Sequence, residues 1–406
     1  MKVNAASGQS VTSDLARINS TRLDRWVLER IQQTVASAPI RFALWDGFEI
    51  PVPGGAPVGT ILFKTRGALL SWLWDPHLNL GETYTAGSVE IHGDLFGVLD
   101  AGYRALTTKV RPWWLWQPSN SLTSSRHNVH HHYDLGNDFY RLWLDRDMVY
   151  TCAYFPTPEA TLEEAQIAKM DRVCRKLRLQ AGERVVETGC GWGSLALFMA
   201  KHYGVTVTAL NISTEQIAYA RQRAREQGLS DRVEFVEDDY RNITGHYDKF
   251  VSVGMLEHVG AENYPELGRV IKGCLKDSGL GLIHTIGRNR AKLMHRWIDR
   301  RIFPGAHPPS LKEMMDIFEN CNFSVLDVEN LRLHYAKTLE WWHALYERST
   351  DKVAKMFDDR FVRMWRLYLL GSQAAFSVGE LQLFQVVFAP GRNNQIPWTR
   401  ADIYQR

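Results

Sequence analysis

The stretch GERVVETGCGWGSLALFMA, residues 182–200, runs from apolar Val185 and Val186 into three glycines, Gly189, Gly191 and Gly193, and then into an apolar helical pattern. It reads as a strand over Val185–Thr188, a tight turn, and a helix over Ser194–Tyr203. Glycines at a strand–helix turn let a ligand lie against backbone, and the helix start offers free N–H groups. The dinucleotide fingerprint is G-x-G-x-x-G, with an acidic residue about 20 positions on. Here the spacing is G-x-G-x-G and the second strand ends on Asn211, which weakens the case for a nicotinamide cofactor. A tight turn in an unliganded α/β domain is the bland alternative.

The same rhythm continues on both sides. Thr161 and Glu164 read as a capping box ahead of a helix ending near Leu177. GVTVTALN is a second strand, and Ser213 with Gln216 starts a helix that stops at Gly228. RVEFVED, DKFVSVG and GLGLIHTIG read as further strands, with late strands at FSVLDVEN and ELQLFQVVF. Repeated strand–helix alternation marks a doubly wound α/β sheet. A long helical stretch rich in Trp, Tyr, Phe and Met is expected over about 338–377.

Residues 1–118 read as a smaller α+β domain. FALWDGFEIPVPGG, GTILFKTRG and GSVEIHGDL are short strands bounded by Gly and Pro, and LDRWVLERIQQTV has helical spacing at Trp26, Val27, Ile31 and Val35. The polar, turn-rich segment that follows makes 119–145 a linker with a lead-in helix, and leaves 146–406 as the larger domain.

Two domains suit a chain of 406 residues. Net charge is +3, too mild for a nucleic-acid footprint but compatible with an anionic membrane face. The five cysteines show no C-x-x-C pair, which points to reduced thiols in a cytoplasmic protein and to no metal site. The first twenty residues lack an apolar signal core, and no stretch approaches the ~20 apolar residues of a membrane span. Fourteen tryptophans are many, and they cluster at Trp72 and Trp74 and at Trp113, Trp114 and Trp116. Indoles favour membrane interfaces, but they also pack cores.

ETGCGWG (Glu187–Gly193) resembles the first motif of Rossmann-like S-adenosylmethionine-dependent methyltransferases. Six further stretches narrow the resemblance: His131–Phe155, SVGMLEHVGAENY (Ser252–Tyr264), LIHTIG (Leu282–Gly287), FPGAHPPS (Phe303–Ser310), LHYAKTL (Leu333–Leu339) and LQLFQVVF (Leu381–Phe388). Together they resemble the cyclopropane-fatty-acyl-phospholipid synthases and their mycolic acid relatives. The resemblance implies methyl transfer from S-adenosylmethionine to a cis double bond in a phospholipid acyl chain, with loss of a proton from the added methyl closing a cyclopropane ring. It implies a bound bicarbonate as the base, held at Cys152, Glu257, His284, Ile286 and Tyr335. Backbone N–H groups near Cys152 and Ile286, with His284 and the Tyr335 hydroxyl, donate to the anion in that scheme, and Glu257 accepts its O–H. Taken singly, His284, Cys152 and Tyr335 also read as ordinary core residues. For the cofactor, the resemblance points to Tyr150 and Thr151 at the carboxylate end, and to Gly189, Gly191 and Gly193 around methionine. It adds Asn211, Ile212 and Gln216 near the ribose, and Asp239 and Tyr240 near adenine.

Glu187 and Thr188 stand where the family usually shows Asp and Ile, Asn211 replaces a common Thr, and Ser372 falls where several members carry a cysteine. The segment Gly287–Pro309 is basic and aromatic, so its arginines are expected to meet lipid phosphates while Trp297, Ile302 and Phe303 face lipid; a solvated helix face with core anchors is the alternative. The resemblance further implies peripheral association with the inner membrane face and homodimers. A methyltransferase making a methyl- or methylene-branched lipid, or acting on a small-molecule amine, is the competing reading.

Overall fold

The computed structural model describes residues 19–35, 37–52, 55–106 and 135–404. Trp113, Trp114 and Trp116, the boundary expected near 118, and the first residues of the His131–Phe155 motif lie outside the described residues.

Two sheets organise the chain. The smaller has the order β2-β1-β3-β4, from β1 (Ile40–Leu44), β2 (Glu49–Ile50), β3 (Gly59–Phe63) and β4 (Val89–Gly93). Helices α1 (Arg22–Thr34), α2 (Arg66–Trp74), α3 (Pro76–Thr85) and α4 (Leu95–Leu106) accompany it. Thr21 and Asp24 cap α1 reciprocally, and Val27, Leu28 and Ile31 bury against Phe42, Ile61 and Phe63. Trp26, expected on the buried stripe, is half exposed at 50%. Helices α2 to α4 escape a reading based on strands and clustered tryptophans. In α2 the pair divides: Trp72 is buried and Trp74 is 89% exposed.

The larger sheet has the order β10-β11-β9-β8-β5-β6-β7. Its strands are β5 (Arg184–Thr188), β6 (Thr206–Asn211), β7 (Val233–Glu237), β8 (Tyr247–Val253), β9 (Leu275–Gly287), β10 (Phe323–Asn330) and β11 (Gln382–Pro390). Strands β5 to β9 run parallel, and β11 is antiparallel to both β9 and β10. The expected α/β class holds. The strand order reverses beside β5, because β6 lies on one side of it and β8 on the other. Such a switch point opens a crevice at the carboxyl ends of the strands.

Helices α5 (Leu162–Lys176), α6 (Ser194–Tyr203), α7 (Thr214–Glu226) and α8 (Tyr264–Cys274) cover this sheet, with the Thr161–Glu164 capping box in place. The short α9 (Arg296–Arg301) and α10 (Leu311–Phe318) follow β9. The long helical stretch is three helices: α11 (Arg332–Glu347), α12 (Thr350–Met356) and α13 (Asp359–Val378). Their aromatic residues pack with Phe139, Tyr140 and Trp143 into one cluster. Among the described residues no helix is long and apolar enough to cross a membrane.

The two halves meet across a seam. Arg296 pairs with Asp75, and Arg301 binds Glu82 through two bonds of 2.7 and 2.8 Å. Arg363 donates to the carbonyls of Tyr84 and Val89. Gly81 leaves room for Trp297, whose indole occupies the place a Cβ would take. The expectation that Trp297 and Ile302 face lipid is therefore corrected: both are buried, and Phe303 packs on the same core. Apolar area is worth more against an existing core than at a surface.

Candidate active site

The glycine turn sits where the strand order reverses. Gly189 and Cys190 donate their N–H groups to Leu210 O at 2.9 and 3.1 Å, tying the turn to β6. All three glycines have positive φ, 76°, 54° and 81°. Their surroundings differ. A Cβ on Gly189 would lie 2.8 Å from Met255 Cβ, and one on Gly193 would lie 2.6 Å from the Phe235 ring. Those two are small because the protein packs there. A Cβ on Gly191 would meet open space. Gly189 and Gly191 line the large cavity, whereas Gly193 is not among its lining residues and starts α6 instead.

The cavity has a volume of about 1510 Å³. Single-ligand pockets usually span ~300–1,000 Å³, so this one has room for two molecules. Every other residue expected at the cofactor site lines it. Asn211 Nδ2 donates to Gln216 Oε1 at 2.7 Å and approaches Gly191 O at 3.4 Å, while its Oδ1 accepts from Ile212 N at 2.8 Å. That side chain thereby ties the second strand to the glycine turn. Asp239 accepts from Arg241 N at 3.0 Å and caps the turn that carries Tyr240. Tyr150 shares a 2.7 Å bond with Tyr368, and Gln166 holds the Thr151 carbonyl at 2.9 Å.

The five residues expected around an anion also share this cavity. Glu257 is buried on the turn after β8, and its Oε1 accepts from Ile286 N at 2.6 Å. Its Oε2 is buried with no hydrogen-bond partner among the described residues, and burial pushes the carboxyl up to about 7 against the opposing pull of backbone N–H groups and the nearby Thr285 hydroxyl. His284, on β9, takes a 3.0 Å bond at Nδ1 from Gln385 Nε2, which leaves Nε2 carrying the proton. That Nε2 is also buried and unpartnered, and burial holds the imidazole neutral, well below its usual range. Cys152 is fully buried, donates to Ala153 O at 3.1 Å, and has its pKa pushed well up by burial. It stays a thiol and supplies no nucleophile. The Tyr335 ring packs 4.5 Å from Phe376. One expectation changes: the Ile286 N–H, assigned to an oxyanion, donates to Glu257 in this structure. Hydrogen-bonding to backbone fixes the carboxylate on the turn and leaves its second oxygen unpartnered among the described residues.

Sequence reasoning missed Lys169. It is buried, lines the cavity, and donates from Nζ to Thr151 Oγ1 at 2.9 Å. Burial pushes its pKa down and that of buried Glu187 up, and the charge of each opposes the shift of the other. The signal was present in the sequence: Ala165, Lys169 and Val173 fall on one helical stripe, and the stripe is buried. Because the ammonium occupies a lone pair of the Thr151 hydroxyl, that hydroxyl keeps its own proton for another acceptor.

The mycolic acid cyclopropane synthetase family profile matches residues 120–386. A probable fatty acid methyltransferase of Pseudomonas putida is 38% identical over 383 residues, 90% of this chain and 96% of its own length. The cyclopropane-fatty-acyl-phospholipid synthase of Escherichia coli K12 is 40% identical over 264 residues, 65% of this chain and 68% of its own. Among solved structures, mycolic acid cyclopropane synthase CmaA1 complexed with SAH and CTAB superposes with a TM-score of 0.62 at 30% identity, covering 67% of this chain and 99% of that one. Fold, motif order and near full-length identity agree: the chain belongs to the mycolic acid cyclopropane synthetase family.

Proposed function

We propose that this protein is an S-adenosylmethionine-dependent lipid methyltransferase that converts a cis double bond in a phospholipid acyl chain into a cyclopropane. The observation that carries this reading is that Glu257 and His284, each with a buried polar atom unpartnered among the described residues, line one cavity with the glycine turn. S-adenosylmethionine, when bound, supplies an electrophilic methyl group. Gly191 presents backbone to it, Asn211 and Gln216 take polar atoms beside it, and the Thr151 hydroxyl faces a carboxylate with the Lys169 charge behind it.

An alkene is a weak nucleophile, so alkylation needs near-attack geometry in a dry site. Leu339, Leu367, Phe376 and Leu383 give the cavity that character beside Tyr335. The cation left on the chain then loses a proton from the added methyl. The residues fit a bicarbonate as the acceptor of that proton: a neutral His284 donates from Nε2, and Glu257 accepts the ion's O–H through Oε2. Two neighbouring anionic groups need such a shared proton.

The small sheet and its helices, within residues 1–118, are the half that we propose to engage the bilayer from the cytoplasmic side. Exposed Trp26, Leu73 and Trp74 line that end of the cavity. Incubating the purified chain with S-adenosylmethionine and unsaturated phospholipid vesicles should make acyl chains heavier by one CH₂, and gas chromatography separates ring from branch. Unmodified chains would overturn the reading. A methyl- or methylene-branched chain is the second reading, favoured by the name of the P. putida relative, which aligns over nearly its whole length. That product would remove ring closure and keep methyl transfer.

A further inference from the structure

Strand β11 is apolar apart from Gln382 at its start and Gln385 in its interior. Gln385 is fully buried, and along the strand it shares a face with Leu383, Val387 and Ala389, all buried in apolar clusters. A buried amide is costly unless it is hydrogen-bonded. Gln385 is not among the residues that line the cavity. Its partner is one that does. The antiparallel register places Gln385 opposite His284 on β9 and opposite Glu329 on β10. Its Nε2 lies 3.0 Å from His284 Nδ1, and its Oε1 is buried with no partner among the described residues. Glu329 on the other side is taken up by α5, accepting from Arg172 Nε at 3.0 Å and Lys176 Nζ at 2.6 Å.

The imidazole in this row stays neutral. Burial opposes a second proton, and so do the charges of Lys169 and Lys176. A neutral ring has one proton to place, and the hydrogen bond at one nitrogen decides which nitrogen carries it. An amide N–H that donates to Nδ1 requires a lone pair there, so the proton resides on Nε2. With that tautomer His284 offers one donor to the cavity that Glu257 also lines. With the other tautomer Nε2 would carry a lone pair and repel an oxyanion.

We infer that Gln385 is a positioning residue, whose amide N–H fixes the His284 proton on Nε2 and so gives the anion site its donor. The inference rests on the bicarbonate reading above and adds to it a residue that acts through another.

The test is nitrogen-15 NMR of the full chain labelled at histidine, with the His284 signals identified by their loss in His284→Asn. Wild type should show Nδ1 bare and Nε2 protonated. Gln385→Met removes the donor, so both tautomers populate and the two signals draw together. Gln385→Glu offers a carboxylate that accepts from Nδ1 and moves the proton there. The Glu variant should lower kcat at least tenfold, about 1.4 kcal/mol, with the S-adenosylmethionine KM and S-adenosylhomocysteine affinity within twofold of wild type. A proton on Nδ1 in wild type would mean that the amide is turned over, and would overturn the inference. Signals unmoved in both variants would overturn it too, as would moved signals with undiminished kcat. If the Glu variant does not fold, the signals and kcat of Gln385→Met decide alone. The NMR readout needs no turnover. Absence of methylated product from a wild type with bare Nδ1 would therefore refute the proposed reaction and leave the tautomer assignment standing.

Discussion

Replacing Glu257 by Gln should stabilise the protein above neutral pH while abolishing its chemistry. The carboxyl is buried, with its pKa pushed up from 4.5 to about 7. Between those values the unfolded chain has released the proton and the folded chain still holds it. The folded state then binds more protons, so stability falls as pH rises through this window and levels off above about 7. Each tenfold change in proton activity across the window is worth ~1.36 kcal/mol, so between pH 5 and pH 8 the wild type loses on the order of 2 to 3 kcal/mol that a neutral amide does not lose. Gln keeps an oxygen for the Ile286 N–H, so the local fold is preserved. At about 2.1 cal/mol/K of unfolding entropy per residue, the melting temperature of the variant should gain about 3 °C on the wild type over that pH range. Thermal denaturation of both proteins at pH 5, 6, 7 and 8 measures it, beside S-adenosylhomocysteine titration and product analysis. A difference that does not grow with pH would refute the assignment of a desolvated carboxylate, and full activity in Glu257→Gln would refute its role.

Lys169→Met should weaken S-adenosylhomocysteine at least tenfold, since it removes the buried cation behind Thr151 and leaves Glu187 without it; calorimetry at pH 7 reads it, and unchanged affinity would place the lysine in a purely structural role. Gly193→Ala should cost about 2 kcal/mol or more, because its Cβ meets Phe235 and Ala220 at a φ of 81°; denaturant unfolding that matches wild type would contradict the packing argument. Gly81→Val should push Trp297 off α3 and loosen the seam, seen as faster proteolysis between the two halves with the S-adenosylhomocysteine affinity retained.

Local signals reported the larger half well. The strand at 185–188, the helix at 194–203 and the Thr161–Glu164 box appear where the alternation of residues placed them, because those features depend on neighbours a few positions away. Helices α2 to α4 were overlooked for the same reason. Thr65 caps α2 and Asp75 caps α3, but each helix is short and takes most of its stabilisation from the seam and the small sheet. The site residues were legible as a set through motif order, not one by one.

By itself the sequence determined a glycine turn between strand and helix, an α/β rhythm around it, and a carboxylate and a histidine near strand ends. Only the tertiary structure decided which glycine opens onto the cavity and which merely yields to Phe235, that Lys169 points inward, and that Trp297 is buried at a seam instead of lying on the outer surface. The reason is physical. Backbone conformation is set by adjacent residues, whereas burial, desolvation and the partner left to a polar atom are set by segments far along the chain that only folding brings together.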